Sequence, residues 1–359
     1  MSNWNQFSWG KTCIELILGA SIALLLYLAI MNLVVSNSLL FSLDARRIIE
    51  VYKFCSSLGT GSHKNSNFII GSSITVEGID ADILDQALNN GTSTYNLGVV
   101  GLTSVEALML EPALKAGKPQ IVVIGIDAMS VGSDKAKGRD KEGIEFEKLQ
   151  AYRATNSVAQ MDSPAKKELL ENILLPKEKA VIESDYLNYL IGCRSLPIFF
   201  IESKFRELMR KGLRTQEVIT NFKSPWMLKS NLTGDSKERI IGSTMELAQR
   251  LSFDEESRNI KALQALIRLL RAENIDLMLV IWPVHPRVYS NLSTDILDKT
   301  DATMKRLAQE GDSIYQNYSK LLSDSDFADA LHPNSEGRAK LSSNLAVGLK
   351  SFHTHLSTP

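Results

Sequence analysis

The sequence predicts an α/β fold built on a parallel sheet, entered through one apolar helix and interrupted by a helical insertion. Three observations carry that expectation. Short apolar runs alternate with helical patterns over residues 67–126 and again from 257 to the end. A nearly unbroken apolar run covers residues 16–35, and strand character disappears over residues 128–255. Strands separated by helices need crossover connections, and crossover connections make parallel pairs.

Taken in order, residues 1–11 form a short tail, and residues 12–36 read as a membrane anchor. The twenty residues of the apolar run, broken only by Gly19, Ser21 and Asn32, would make a helix of about 30 Å, the thickness of a bilayer core. A cleaved signal peptide is the competing reading, although the run is longer than a usual h-region. Lys11 lies on one side of the span and Arg46, Arg47 and Lys53 on the other, so charge alone leans towards a cytoplasmic carboxyl-terminal domain. Residues 37–66 read as a linker with an amphipathic piece at 43–54, followed by the Gly/Ser-rich SSLGTGSHKNS.

The soluble domain is expected over residues 67–359. Its first half reads as strand 67–70, helix 81–89, strand 94–97, helix 104–116 and strand 121–126. The insertion, at about 128–255, is rich in charge and shows helical spacing at 166–174, 180–190 and 199–213. It is either a solvated excursion or a lid or docking surface. The rhythm then resumes with helix 257–273, strand 275–282, helix 294–310, a short strand at 313–315 and a final helix from 335 to 352.

Composition excludes several function classes. The 359 residues are 44% hydrophobic, enough for a sizeable core, and carry a net charge of −1 from 40 basic and 41 acidic residues. That balance offers no polyanion a partner, so no nucleic-acid partner is expected. The three cysteines, Cys13, Cys55 and Cys193, fit no metal-ligand spacing, and no metal or cofactor is expected. Cys55 and Cys193 are either free thiols or, in an oxidising compartment, a pair.

The chemistry is carried by two short stretches at opposite ends of the domain. In NFIIGSSITVEG, an apolar strand ends at Gly71-Ser72-Ser73 and offers a hydroxyl at the carboxyl edge of a sheet, where open α/β folds bind ligands. In DFADALHPNSEG, Asp329 precedes His332 by three residues, so one loop can offer an imidazole together with the carboxylate that orients it. Taken singly, each stretch is also ordinary turn and capping chemistry. His63 lies in the linker and His353 and His355 in the tail, which leaves His285 as the other candidate imidazole.

Together, IIGSSIT and DALHPN resemble the nucleophile and Asp-x-x-His blocks of the SGNH (GDSL-type) hydrolase superfamily, and YNLGVVGLTS resembles its second block. That resemblance implies an SGNH-like (flavodoxin-like) three-layer sheet. It also implies Ser73 as nucleophile, His332 as base, Asp329 as its orienting group, and the amides of Ser73 and Gly101 as oxyanion donors. Two departures stand out. Ser72 replaces the family's Asp, as in membrane-anchored envelope relatives such as the D-alanyl transfer proteins. The third block, where Gly-x-Asn-Asp belongs, reads IVVIGIDAMS, so that Asp127, Ala128 and Met129 occupy the place of the oxyanion asparagine. IDLMLVIWPVHP also resembles these relatives and puts His285, with Ser72 and Asp127, among possible pocket residues.

The resemblance implies a single-pass protein whose carboxyl-terminal domain is extracytoplasmic, against the lean of the charges. It further implies an acyl ester on an envelope polymer or polysaccharide as substrate, and a membrane acyltransferase as a possible partner. The alternative is a tethered scaffold that kept the fold and lost catalysis.

Overall fold

The computed structural model describes residues 9–36, 41–59, 65–134, 143–184, 220–225 and 234–356. Seven strands occur among them: β1 (Ser66–Gly71), β2 (Ser93–Asn96), β3 (Ile121–Ile126), β4 (Gly132–Asp134), β5 (Leu251–Phe253), β6 (Asp276–Ile281) and β7 (Ile314–Asn317). Five of them form an all-parallel sheet in the order β2-β1-β3-β6-β7. Counted along the chain this is the order 2-1-3-4-5, the flavodoxin-like doubly wound arrangement, as expected.

Composition explains which strands are central. β1 (SNFIIG) and β3 (IVVIGI) are buried throughout and β6 (DLMLVI) at every position after Asp276, as strands covered on both faces must be. β2 (STYN) and β7 (IYQN) are half-buried, which suits the edges. Alternate side chains serve two cores. Phe68, Ile70, Val122, Ile124, Leu277 and Leu279 face one, and Ile69, Ile121, Val123, Met278 and Val280 face the other. The exposed edge of β2 is capped by residues 220–225, whose Phe222 carbonyl accepts from the Asn96 amide.

The helices are α1 (Trp9–Ser36), α2 (Leu43–Gly59), α3 (Ser73–Gly78), α4 (Ala81–Leu88), α5 (Ser104–Met109), α6 (Glu111–Gly117), α7 (Phe146–Ala154) and those that follow. Sequence signals fix several ends. Asp80 caps α4 through the Asp82 and Ile83 amides, Thr103 and Glu106 form a capping box on α5, and Ser293 caps the helix Thr294–Glu310. The single helix expected at 104–116 is divided at Leu110, because Pro112 has no N–H with which to continue the ladder.

α1 is long and apolar enough to cross a membrane: Thr12–Ala29 has a mean hydropathy of 2.1 and none of its residues is buried in the domain. Its length and composition suit a membrane anchor or a signal sequence.

The expected linker at 37–66 needs correction. Within it, α2 is an integral layer of the domain, burying Ile48, Ile49, Val51, Tyr52, Cys55 and Leu58 against the same core as β1 and β3. Its charged residues disguised it, yet Arg47 is wholly buried. The Arg47 guanidinium donates to the carbonyls of Asn96, Gly98 and Asn221 and stacks 4.0 Å over Phe222.

The insertion also departs from the all-helical expectation. Its two ends meet as an antiparallel pair, β4 with β5, in the register Gly132↔Phe253. Three-residue strands are too short to leave a period in sequence. The helical pattern at 166–174 becomes Ser163–Glu168 followed by a π turn, Leu169–Ile173. That at 180–190 becomes Pro176–Ile182, with its latter part outside the described residues, as are 199–213 and Cys193. Cys55 is a buried free thiol.

Candidate active site

β1 delivers the site. At its carboxyl end the backbone leaves the sheet at Gly71, where a Cβ would meet Thr75 Oγ1 at 2.1 Å and the Gly125 carbonyl at 2.7 Å, so no other residue fits. Gly125 on β3 is under the same constraint from the next strand, since a Cβ there would lie 1.8 Å from the Trp282 indole nitrogen. Trp282 Nε1 donates to Thr75 Oγ1 over 2.8 Å, which ties the end of β6 to the first turn of α3. The chain is thus pinned on both sides of Ser72 and Ser73.

Ser73 is the first residue of α3 and is half-buried. Its amide belongs to the first turn, where backbone donors have no partner within the helix. On the opposite side, the loop after β7 carries Asp329 and His332, both buried. His332 Nε2 lies 2.8 Å from Ser73 Oγ, and His332 Nδ1 lies 2.8 Å from each carboxylate oxygen of Asp329. The Asp329 carboxylate also accepts from the amides of Leu331 and His332, at 2.9 Å each. Burial opposes its charge, but these hydrogen bonds and the adjoining ring outweigh burial and hold the carboxyl well below the usual range. An ionised Asp329 can only accept, so Nδ1–H donates to it, which leaves Nε2 free to accept from the serine hydroxyl.

The three residues expected at the centre of the site therefore stand together. Gly101 is on the exposed turn after β2, left-handed at φ 65°. Ser72 lines a cavity of about 20 Å³ with Gly71, Leu102, Thr103, Ile126 and Ser130.

The two other possible pocket residues turn elsewhere. Asp127 closes the turn after β3, its carboxylate accepting from the amides of Met129 and Ser130. His285 is buried behind the histidine loop: its Nδ1 accepts from the Arg287 amide, its Nε2 lies 3.4 Å from Asp324, and its backbone N–H donates to the Ala330 carbonyl. Burial, only partly offset by Asp324, keeps the His285 imidazole easier to deprotonate than usual. It braces the loop that carries Asp329 and His332.

Sequence reading missed two residues. Glu77, one turn after Ser73 on α3, is buried with Oε1 3.8 Å from His332 Nε2. Its spacing of four from the serine was the available signal, since such residues share a helix face. Lys148, from the insertion, is buried against the Gly101 turn and left no sequence signal. Among the described residues no group of three or more His, Cys, Asp or Glu side chains is arranged to hold a metal ion. Larger hollows, of about 300 Å³ beside Tyr152 and about 520 Å³ beside Arg268, lie among other residues than these.

No protein-family model and no curated protein matches the chain. Among solved structures, it is similar to Est24, a carbohydrate acetylesterase from Sinorhizobium meliloti. That similarity covers 80% of this chain and 100% of Est24, at 10% sequence identity and a TM-score of 0.38.

Proposed function

We propose that the chain is a membrane-anchored, SGNH-like serine esterase or O-acyltransferase, acting on an acyl ester of a cell-envelope polysaccharide or polymer. One observation carries the reading: a continuous hydrogen-bonded relay from Ser73 Oγ through His332 to Asp329, with 2.8 Å at each link. Two segments separated by 259 positions meet so that a hydroxyl, an imidazole and a carboxylate stand in the order that serine acyl chemistry uses.

In that chemistry Ser73 Oγ bonds to the acyl carbon while its proton passes to His332 Nε2, and the carbonyl π electrons move onto oxygen. When the tetrahedral centre collapses, the bond to the leaving alcohol breaks and that alcohol takes the proton back from Nε2. The acyl-serine is then attacked by water or a sugar hydroxyl, deprotonated by the same imidazole, and on collapse the bond from the acyl carbon to Ser73 Oγ breaks and Oγ takes the proton back from Nε2. Ionised Asp329 holds the ring in the required tautomer throughout. The amides of Ser73 and Gly101 are the donors to the oxyanion.

The resemblance of Gly71-Ser72-Ser73 and IDLMLVIWPVHP to anchored envelope relatives supports outward placement of the domain, a polymeric acceptor, and a membrane acyltransferase as the supplier of acyl groups. A second reading, a scaffold without catalysis, draws support from the third block, where Asp127 and its turn replace the oxyanion asparagine.

The test is hydrolysis of a chromogenic acetyl ester together with labelling by a fluorophosphonate. Ser73→Ala is expected to abolish both while circular dichroism is unchanged, and Asp329→Asn to lower kcat by about 10²- to 10⁴-fold through loss of the tautomer. Equal labelling of Ser73→Ala and wild type would reject the assignment in favour of the scaffold.

A further inference from the structure

Lys148 lies on α7, inside the insertion, and only 3% of its side chain is exposed. Its Nζ donates to the carbonyl of Val100 over 2.8 Å and to that of Gly101 over 3.2 Å. Its charge is matched by Glu106 Oε1 at 3.3 Å, itself buried. Glu106 is fixed in turn, since its other oxygen accepts from the amide and the hydroxyl of Thr103, at 3.0 Å each. A lysine taken this far from water is costly, and an apolar residue of similar volume seals a core at least as well. The expense is explained by what the ammonium holds.

What it holds is the turn that carries Gly101. A trans peptide unit is planar, with its C=O and N–H pointing in opposite directions. Because the Val100 carbonyl is drawn inward onto Lys148, the N–H of Gly101 in the same unit is turned outward. That amide makes no hydrogen bond among the described residues, and Gly101 is exposed. The left-handed φ of 65° at Gly101 lets the next carbonyl swing back to the same ammonium. A Cβ on Gly101 would stand 3.3 Å from Lys148 Nζ, so the turn and the lysine are matched in shape.

We propose that Lys148 is a positioning residue of the active site. By gripping the carbonyls of Val100 and Gly101, it aims the Gly101 amide at the oxyanion that forms when Ser73 attacks an acyl carbon. The insertion is thereby part of the catalytic apparatus, since it holds one of the two backbone donors that remain where the asparagine after β3 is absent. This rests on the reading of Ser73 as nucleophile.

The experiment compares wild type, Ser73→Ala, Lys148→Met and the neutral double variant Lys148→Met/Glu106→Gln, using 4-nitrophenyl acetate turnover and inhibition by phenylboronic acid. The boronate forms a tetrahedral adduct on a serine and so reports oxyanion binding without turnover. Lys148→Met is expected to lower kcat by about 100-fold, as removal of one oxyanion donor does, with KM within threefold and boronate affinity weakened in parallel with kcat. A merely structural loss would change KM and kcat together or reduce the active fraction, leaving boronate affinity per active site unchanged. If Lys148→Met does not fold, the double variant, which leaves no carboxylate unpaired, is expected to give the same selective loss. Wild-type kcat and boronate affinity in a folded variant, with Ser73→Ala inactive, would overturn the positioning role and leave the serine reading intact. Activity in Ser73→Ala would overturn the reading beneath it.

Discussion

Glu77 Oε1 stands 3.8 Å from His332 Nε2, so the imidazole lies between two buried carboxylates: Asp329 on its Nδ1 side, and Glu77 beside the nitrogen that faces Ser73. On the proposed reading, a carboxylate at this distance is placed to stabilise the imidazolium that acyl transfer would form. Glu77→Gln is expected to lower kcat/KM by about 10- to 100-fold with little change in KM. Steady-state kinetics and the rate of fluorophosphonate labelling check this, and unchanged rates would show that Glu77 serves α3 alone.

The contact between Gly125 and Trp282 makes the centre of the sheet intolerant of one methyl group. With a Cβ placed 1.8 Å from the indole nitrogen, Gly125→Ala must displace Trp282 and break its hydrogen bond to Thr75. Overpacking of this kind costs about 1–3 kcal/mol. Thermal unfolding is expected to shift down by several degrees, with activity lost beyond what stability explains, because α3 and Ser73 move with Thr75. Wild-type melting and turnover would contradict the constraint.

The burial of α2 separates two truncations. A chain starting at Phe41 keeps α2 and is expected to fold without α1. One starting at Ser66 loses the buried Ile48, Ile49, Val51, Tyr52 and Leu58. At about 1.5–3 kcal/mol for each such side chain, the loss is roughly 10 kcal/mol, comparable to the whole stability of an ordinary domain. Limited proteolysis and circular dichroism of the two proteins check the expectation; equal stability would restore the linker reading.

Asp44, in the first turn of α2, has its carboxyl pushed up to about 6 by burial, which outweighs the attraction of Lys148. A raised folded-state pKa means that the folded chain binds the proton more tightly than the unfolded chain. Stability linked to this group is therefore full below the ordinary value of 3.8 and is lost as pH rises through about 6. Asp44→Asn is expected to be neutral near pH 4 and stabilising at pH 7–8 by about 1–3 kcal/mol. Denaturant titrations at the two pH values check the sign, and a variant equally stable relative to wild type at both would remove Asp44 from the account.

The parts of this molecule written in local pattern were legible in its sequence. β1, β3 and β6 are apolar runs, the helix Thr294–Glu310 has its serine cap, and Ser73, Asp329 and His332 sit in two short motifs that only a family resemblance joined. Residues whose meaning depends on distant neighbours were not legible. Arg47 reads as a solvated charge until three carbonyls and Phe222 surround it, and Lys148 reads the same way until the Gly101 turn is folded against it. β4 and β5, three residues each, exist because the ends of the insertion are brought side by side.

The packing of α2 also sets a leash. Only residues 37–42 separate α1 from α2, and six residues stretch to at most about 20 Å. If α1 stays in a bilayer, the domain is held at the membrane surface instead of roaming on a long tether.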